Sequence, residues 1–161
     1  MAKPYCYGYR LIAPRWVESA LSGEGARKYG GRWNSPGGSM VYLGGSRALT
    51  ALEMLVHLTT PMSRAKPFRI IEVKIPTDLI SVYPLKILPA GWRVQPPGRL
   101  TMEIGDDWLR AGSDLALRVP SVIVPEESNI LINPLHPEFG QLEASATGNF
   151  SFDARLIESP L

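Results

Sequence analysis

The order of apolar and polar positions along this chain reads most clearly between residues 40 and 76. In "MVYLGG" (40–45), Val41 and Leu43 alternate with Tyr42 and two glycines follow, which predicts a short strand. "SRALTALEMLVHL" (46–58) changes to a helical composition. Ser46 stands as an N-cap, Ala, Leu and Met supply propensity, and Thr59, Thr60 and Pro61 end the element. "FRIIEVKIP" (68–76) predicts a strand with Ile71, Val73 and Ile75 on one face and Glu72 and Lys74 on the other. Further on, "GRLTMEIGDDWLRAG" (98–112) predicts a helix that opens near Thr101, buries Ile104, Trp108 and Leu109, and closes at Gly112. "LALRVPSVIVPE" (115–126) and "NILINP" (129–134) read as apolar strands interrupted or bounded by proline. "NFSFDARL" (149–156) alternates, with Phe150, Phe152, Ala154 and Leu156 on one side. Strands outnumber helices and no regular βαβ alternation appears. The expected class is α+β: a curved or split, mostly antiparallel sheet flanked by two or three helices.

Composition supports one folded unit. A chain of 161 residues with 45% hydrophobic and 20% charged residues is long and apolar enough for a single core, and no internal repeat or linker divides it. Residues 1–161 are therefore read as one domain. Fifteen prolines and fifteen glycines predict short elements with many turns, and argue against a helical bundle. Cys6 is the only cysteine, which excludes an intramolecular disulfide and a structural thiolate zinc site. No leader pattern opens the chain and no apolar run approaches about 18 residues, so a soluble, cytoplasmic protein with no membrane partner is expected.

Charge changes the picture in one respect. The net charge is only +2, yet residues 1–50 carry seven Lys/Arg against Glu18 and Glu24. These cations are dispersed, without the dense stripe and stacking aromatics of a nucleic-acid binder, so direct nucleic-acid binding is not expected. Scattered arginines on Gly-rich loops suit a small anionic ligand better, and a solvated surface is the plain alternative.

Several common chemistries are missing. With only His57 and His136, a histidine-rich metal site is not expected, and neither histidine sits in a nucleophile-elbow context. "GEGARKYGG" departs from G-x-G-x-x-G at Lys28 and follows no predicted strand, and no P-loop is present. Five positions stand out instead. In "YGGRWNSPG" (29–37), Arg32 and Trp33 sit among turn formers. Glycine lets backbone approach a ligand and arginine forks onto phosphate, although a hairpin tip with a packed Trp33 and a solvated Arg32 fits the same string. Glu53 interrupts an almost wholly apolar helix, either on a narrow solvent face with His57 one turn on or in a cleft, with Arg32 as a possible cation. Ser121 heads a β-branched run, as a structural serine or a site residue. Tyr42 is either a half-buried sheet residue or one wall of a pocket.

Taken in order, "YRL" (9–11), "GGRWNSPG" (30–37), "MVYLGGSRALTALEMLVHL" (40–58), "VPSVIVP" (119–125) and "NILINPLHPEF" (129–139) resemble the RES-domain family, over a core of about 9–156. Residues 84–114 match least well, and nothing is carried over there. The resemblance implies a core similar to that of ADP-ribosyltransferases and a toxin of a RES–Xre toxin–antitoxin module that consumes NAD+, by hydrolysis, by phosphorolysis, or in one branch by transfer of ADP-ribose to a protein of nucleotide metabolism. It places the family's catalytic arginine, glutamate and serine on Arg32, Glu53 and Ser121. It implies NAD+ contacts from Arg10, Gly31, Arg32, Tyr42 and Ser121. In that picture Arg32 and Arg10 neutralise the pyrophosphate, Gly30 and Gly31 let the loop approach it, Tyr42 stacks on nicotinamide, and Ser121 anchors the ribose or places Glu53. NAD+ enters as substrate and no metal is called for. The expected partners are a pocket-blocking Xre-type helix-turn-helix antitoxin, a protein target in the transfer branch, and a second copy as a homodimer. A non-catalytic nucleotide-binding module and an inactive structural partner of a toxin complex stand as the alternatives.

Overall fold

A computed structural model of the chain describes residues 2–158. Its strands are β1 (Tyr5–Ile12), β2 (Val41–Gly44), β3 (Phe68–Pro76), β4 (Ile80–Val82), β5 (Ala116–Pro120), β6 (Ser128–Ile132) and β7 (Glu143–Phe150). The helices are α1 (Glu24–Tyr29), α2 (Arg47–Leu55), α3 (Pro61–Arg64), α4 (Arg99–Ala111) and α5 (Ala154–Glu158). All seven strands join one sheet in the order β4-β5-β6-β2-β1-β3-β7. Every pairing is antiparallel except β4 with β5.

The sheet is nearly divided at its middle. β1 and β3 stay in register from Tyr5↔Pro76 to Ile12↔Arg69, and β2 and β6 from Val41↔Ile132 to Gly44↔Asn129. β1 and β2 share the single pair Tyr9↔Gly44. This is the split, mostly antiparallel α+β sheet that the residue pattern predicts.

The two faces are covered differently. On one face a continuous core of Val41, Leu43, Ile71, Val73, Ile75, Leu115, Ala116, Ile130 and Ile132 spans both halves. The other face carries two separate clusters. Trp33, Met40, Trp108, Leu117, Val119 and Leu131 pack with α4 over one half, and Leu11, Leu55, Phe68, Ile70 and Phe152 pack with α2 over the other. Polar residues occupy the strip between these clusters.

α2 is fixed over that strip by its first turn. Ser46 Oγ accepts from Leu49 N at 3.0 Å, a cap worth about 1 kcal/mol. Arg47 lies 4.5 Å over the Tyr9 ring and pairs with Glu72 at 2.7 Å. Gly44 lets the helix come this close: a Cβ there would meet Thr50 Oγ1 and lie 2.9 Å from Thr50 N.

Four expectations are corrected. The helix predicted over 46–58 stops at Leu55, because its last turn tightens into i→i−3 bonds, His57 N to Met54 O and Leu58 N to Leu55 O. Thr60 and Pro61, read as terminators, instead open α3 through a reciprocal cap with Ser63. The strand expected over 149–156 ends at Phe150. The Phe150 and Phe152 rings then meet edge to face at 5.1 Å, and Asp153 Oδ1 accepts from Arg155 N to start α5. The apolar run 115–126 is extended only to Pro120, after which it turns around Ser121. β1, β4 and β7 before Asn149 had not been anticipated.

Candidate active site

Glu53 lies on α2, facing the ends of β5 and β6. Its Oε1 accepts from Ser121 Oγ at 2.8 Å and from Asn129 Nδ2 at 2.7 Å. No described residue donates to Oε2. A carboxylate gripped on one oxygen and open on the other is oriented without being neutralised by a cation. His57, a possible partner from the helix spacing, is exposed, and these two donors hold Glu53 instead.

Ser121 is fully buried (0% exposed). While its hydroxyl donates to Glu53, its oxygen accepts from Ile123 N and Val124 N, both at 3.1 Å. One donor and two acceptor sites are the full capacity of a hydroxyl. None remains for a ligand, so of its two expected roles the geometry fits the placing of Glu53.

Arg32 reaches the same strip from the loop after α1. Its Nη1 donates to Trp92 O at 2.8 Å and Val94 O at 3.1 Å, while Nη2 is buried without a partner. Burial pushes this guanidinium below its ordinary value, and the Glu53 carboxylate, with Tyr42 behind it, pulls part of the way back. The two side chains are thus within electrostatic reach without forming an ion pair.

The loop that carries Arg32 is braced from three sides. Trp33 (2% exposed) packs into the cluster under α4, and full burial of such a side chain is worth about 2–3 kcal/mol. Asn34 (0% exposed) donates through Nδ2 to Ala26 O, Ser35 O and Gly38 O. Tyr42 Oη accepts from Trp33 N at 3.0 Å and donates to Asn34 Oδ1 at 2.6 Å. Burial raises the Tyr42 phenol well above its usual range, against the lowering effect of the Trp33 amide, which keeps it a donor. Asp106 on α4 accepts from Ser35 N at 2.9 Å and Ser35 Oγ at 2.6 Å. At Gly31 the space of a side chain is taken by Tyr42: a Cβ would lie 2.6 Å from Oη and 2.9 Å from Cζ.

Arg10 is not joined to the others. It follows Tyr9 on β1 and registers with Ile71, on the face opposite Tyr9 and Leu11. No hydrogen bond or ion pair links it to Glu53 or Arg32. Its Nε is buried without a partner, and burial lowers its pKa with no anion to offset the effect. Asn129, Asn34 and Asp106 were not anticipated as site residues. Asn129 and Asn34 stand within the quoted "NILINP" and "RWN", where asparagine reads as a turn former. Two hollows along α4, one lined by Ser35, Pro36, Gly38, Asp106, Leu109 and Arg110 and a neighbour between Leu109 and His136, do not reach Glu53. Among the described residues no group of three or more His, Cys, Asp or Glu could hold a metal ion, and no helix is long and apolar enough to cross a membrane.

Fold and site together define an α+β protein with a split sheet, an oriented carboxylate and beside it one under-satisfied guanidinium group, the makings of a site for an anionic ligand. The family model of the RES domain matches residues 8–153, and the chain belongs to the RES-domain family of toxins. It is 37% identical over 152 residues to "Toxin Res" of Photorhabdus laumondii, covering 94% of this chain and 97% of that protein. It is 39% identical over 143 residues to the "Prs ADP-ribosylating toxin" of Sphingobium sp. strain YBL2, covering 85% and 86%. The toxin–antitoxin complex MbcT–MbcA of M. tuberculosis offers the same fold, with a TM-score of 0.73 at 19% identity over 97% of this chain and 88% of that one.

Proposed function

We propose that the protein is the toxin of a toxin–antitoxin module that cleaves the nicotinamide–ribose bond of NAD+ by hydrolysis or phosphorolysis and so depletes the cell of NAD+. The observation that carries this reading is the Glu53 carboxylate, held through Oε1 by Ser121 and Asn129 with Oε2 open, within reach of an Arg32 whose Nη2 lacks a partner. Nicotinamide in NAD+ is already cationic and leaves neutral, so no acid is needed to protonate the leaving group, in contrast to an ordinary glycoside. One carboxylate suffices. Glu53 takes a ribose hydroxyl and stabilises positive charge developing at the anomeric carbon. The orphaned Arg32 Nη2 is suited to the pyrophosphate, whereas Arg10, on the opposite face of the sheet, stands outside this reading. The braced Tyr42 would offer its ring to nicotinamide.

A second reading keeps the same bond cleavage and changes the acceptor to a protein side chain. The name of the Sphingobium relative favours it. The partner in either case is an antitoxin that closes the strip, and the neighbour of the same fold, in a toxin–antitoxin complex, supports a partner of that kind. An Xre-type helix-turn-helix protein is the partner that the family resemblance implies. Nucleotide chromatography of NAD+ incubated with the purified protein, with and without phosphate, separates the readings. Phosphate-independent nicotinamide and ADP-ribose mean hydrolysis, and phosphate-dependent loss means phosphorolysis. NAD+ that stays intact until cell lysate is added means protein transfer. Glu53→Gln is expected to bind NAD+ nearly as the wild type does and to turn over at least about a hundredfold more slowly. Undiminished toxicity in that variant would leave a non-catalytic binding module as the better account.

A further inference from the structure

Asn129 stands at the middle of the strip with one end of its amide in use. It registers with Gly44 on β2 and Val119 on β5, so its side chain rises between the two apolar clusters, next to the place where Thr50 of α2 packs over Gly44. The amide orientation is fixed by chemistry. An ionised carboxylate only accepts, so the end 2.7 Å from Glu53 Oε1 is the NH2. The carbonyl end, Oδ1, is then buried with no donor. A buried unpaired acceptor costs about 1–3 kcal/mol, and is retained where a ligand brings the missing donor. The neighbouring open acceptor is Glu53 Oε2. The two acceptors belong to one hydrogen-bonded side-chain pair, and such a pair suits two adjacent hydroxyls.

We propose that Asn129 Oδ1 accepts a hydrogen bond from the nicotinamide-ribose hydroxyl next to the one taken by Glu53, while Nδ2 holds the carboxylate in place. The side chain therefore contacts substrate and positions Glu53 at once, and the pair reads the ribose cis-diol. This rests on NAD+ as the substrate, and the test separates failure of the two ideas.

Binding is measured by calorimetry with Glu53 intact, so that no glutamine amide can donate to Asn129 Oδ1. The ligands are the non-cleavable carbocyclic form of NAD+ and its counterparts that lack the 2′- or the 3′-hydroxyl of the nicotinamide ring sugar or carry nicotinic acid. Asn129→Ala is expected to weaken binding of the carbocyclic form about tenfold, the scale of one neutral hydrogen bond. One of the two deoxy analogues should show almost none of that loss. Equal loss on the carbocyclic form and on both deoxy analogues would mean that Asn129 acts on fold alone, and overturns the contact. A loss that vanishes only with the nicotinic-acid form of the dinucleotide would assign Oδ1 to the carboxamide and overturn the diol. Asn129→Ser, which keeps a small hydroxyl, covers the case in which the alanine variant does not fold, and should recover part of the affinity. If the carbocyclic form binds but the wild type never consumes NAD+, the proposed function fails and the contact stands. If the carbocyclic form does not bind at all, both fall.

Discussion

Ser121 and Tyr42 place their polar atoms entirely inside the protein, and that decides what substitution at each should do. Ser121→Ala removes one donor from Glu53 and leaves the Ile123 and Val124 amides without their acceptor. We expect a loss of about 1–3 kcal/mol in urea unfolding, with kcat for NAD+ falling more than KM rises, because Glu53 is loosened and no ligand contact goes. Tyr42→Phe breaks the link from Trp33 N through the phenol to Asn34 Oδ1, at a similar cost. Its pH dependence has a definite sign. The folded protein raises the Tyr42 pKa above its ordinary value near 10, so the contribution is fully present below about pH 10 and is lost as pH rises beyond it. The stability gap between wild type and Tyr42→Phe should therefore be constant from pH 7 to 9 and shrink by pH 11, measured by denaturant titration.

At the scale of elements, the close approach of α2 to β2 is the most demanding contact. Gly44→Ala would drive a methyl group into Thr50 and its backbone, and either lift the helix or strain the strand. We expect more than about 2 kcal/mol lost in thermal unfolding, and weak NAD+ turnover in whatever folds, since Glu53 rides on the same helix. Asp106→Ala, by contrast, frees Ser35 and one side of the Arg32 loop. It should raise KM several-fold with little change in kcat, read by steady-state kinetics.

The elements also show what a sequence discloses. β3 and α4 follow from residue pattern because apolar and polar positions recur at the period of each element, β2 because its apolar residues run into two glycines, and the Ser46 cap because a serine stands just before the apolar helix. β7 does not, because it is an edge strand of small residues, largely exposed on both sides, and so carries no alternation. The aromatic alternation of Phe150 and Phe152 belongs to a corner, where rings pack across a turn instead of along a strand. Among the site residues, Glu53 was legible as a carboxylate in an apolar helix. Asn129 was not, since its place depends on the register with Gly44, which no local string contains. Asp106 reads as one of a pair of surface acids until α4 is laid against the loop.

At the scale of the whole molecule, the chain orders its polar strip by covering one face of the sheet twice and leaving the interval between the covers for chemistry. Arg32, Tyr42, Ser121 and Asn129 belong to one half, and Glu53 rides on α2, which packs on β2 and β1 and so bridges the two. The single rung between Tyr9 and Gly44 is therefore more than a quirk of strand pairing. With so little backbone pairing there, we expect the protein to give more readily across this seam than along either half, held there by the shared core and by α2. A dinucleotide gripped by that half and by α2 acts as a suture. At a hundred times its dissociation constant it should add about 2.7 kcal/mol to unfolding, and hydrogen exchange should slow most at the amides lining the seam, well before those buried within either half. An antitoxin that spans the same line would immobilise the toxin as well as occlude it.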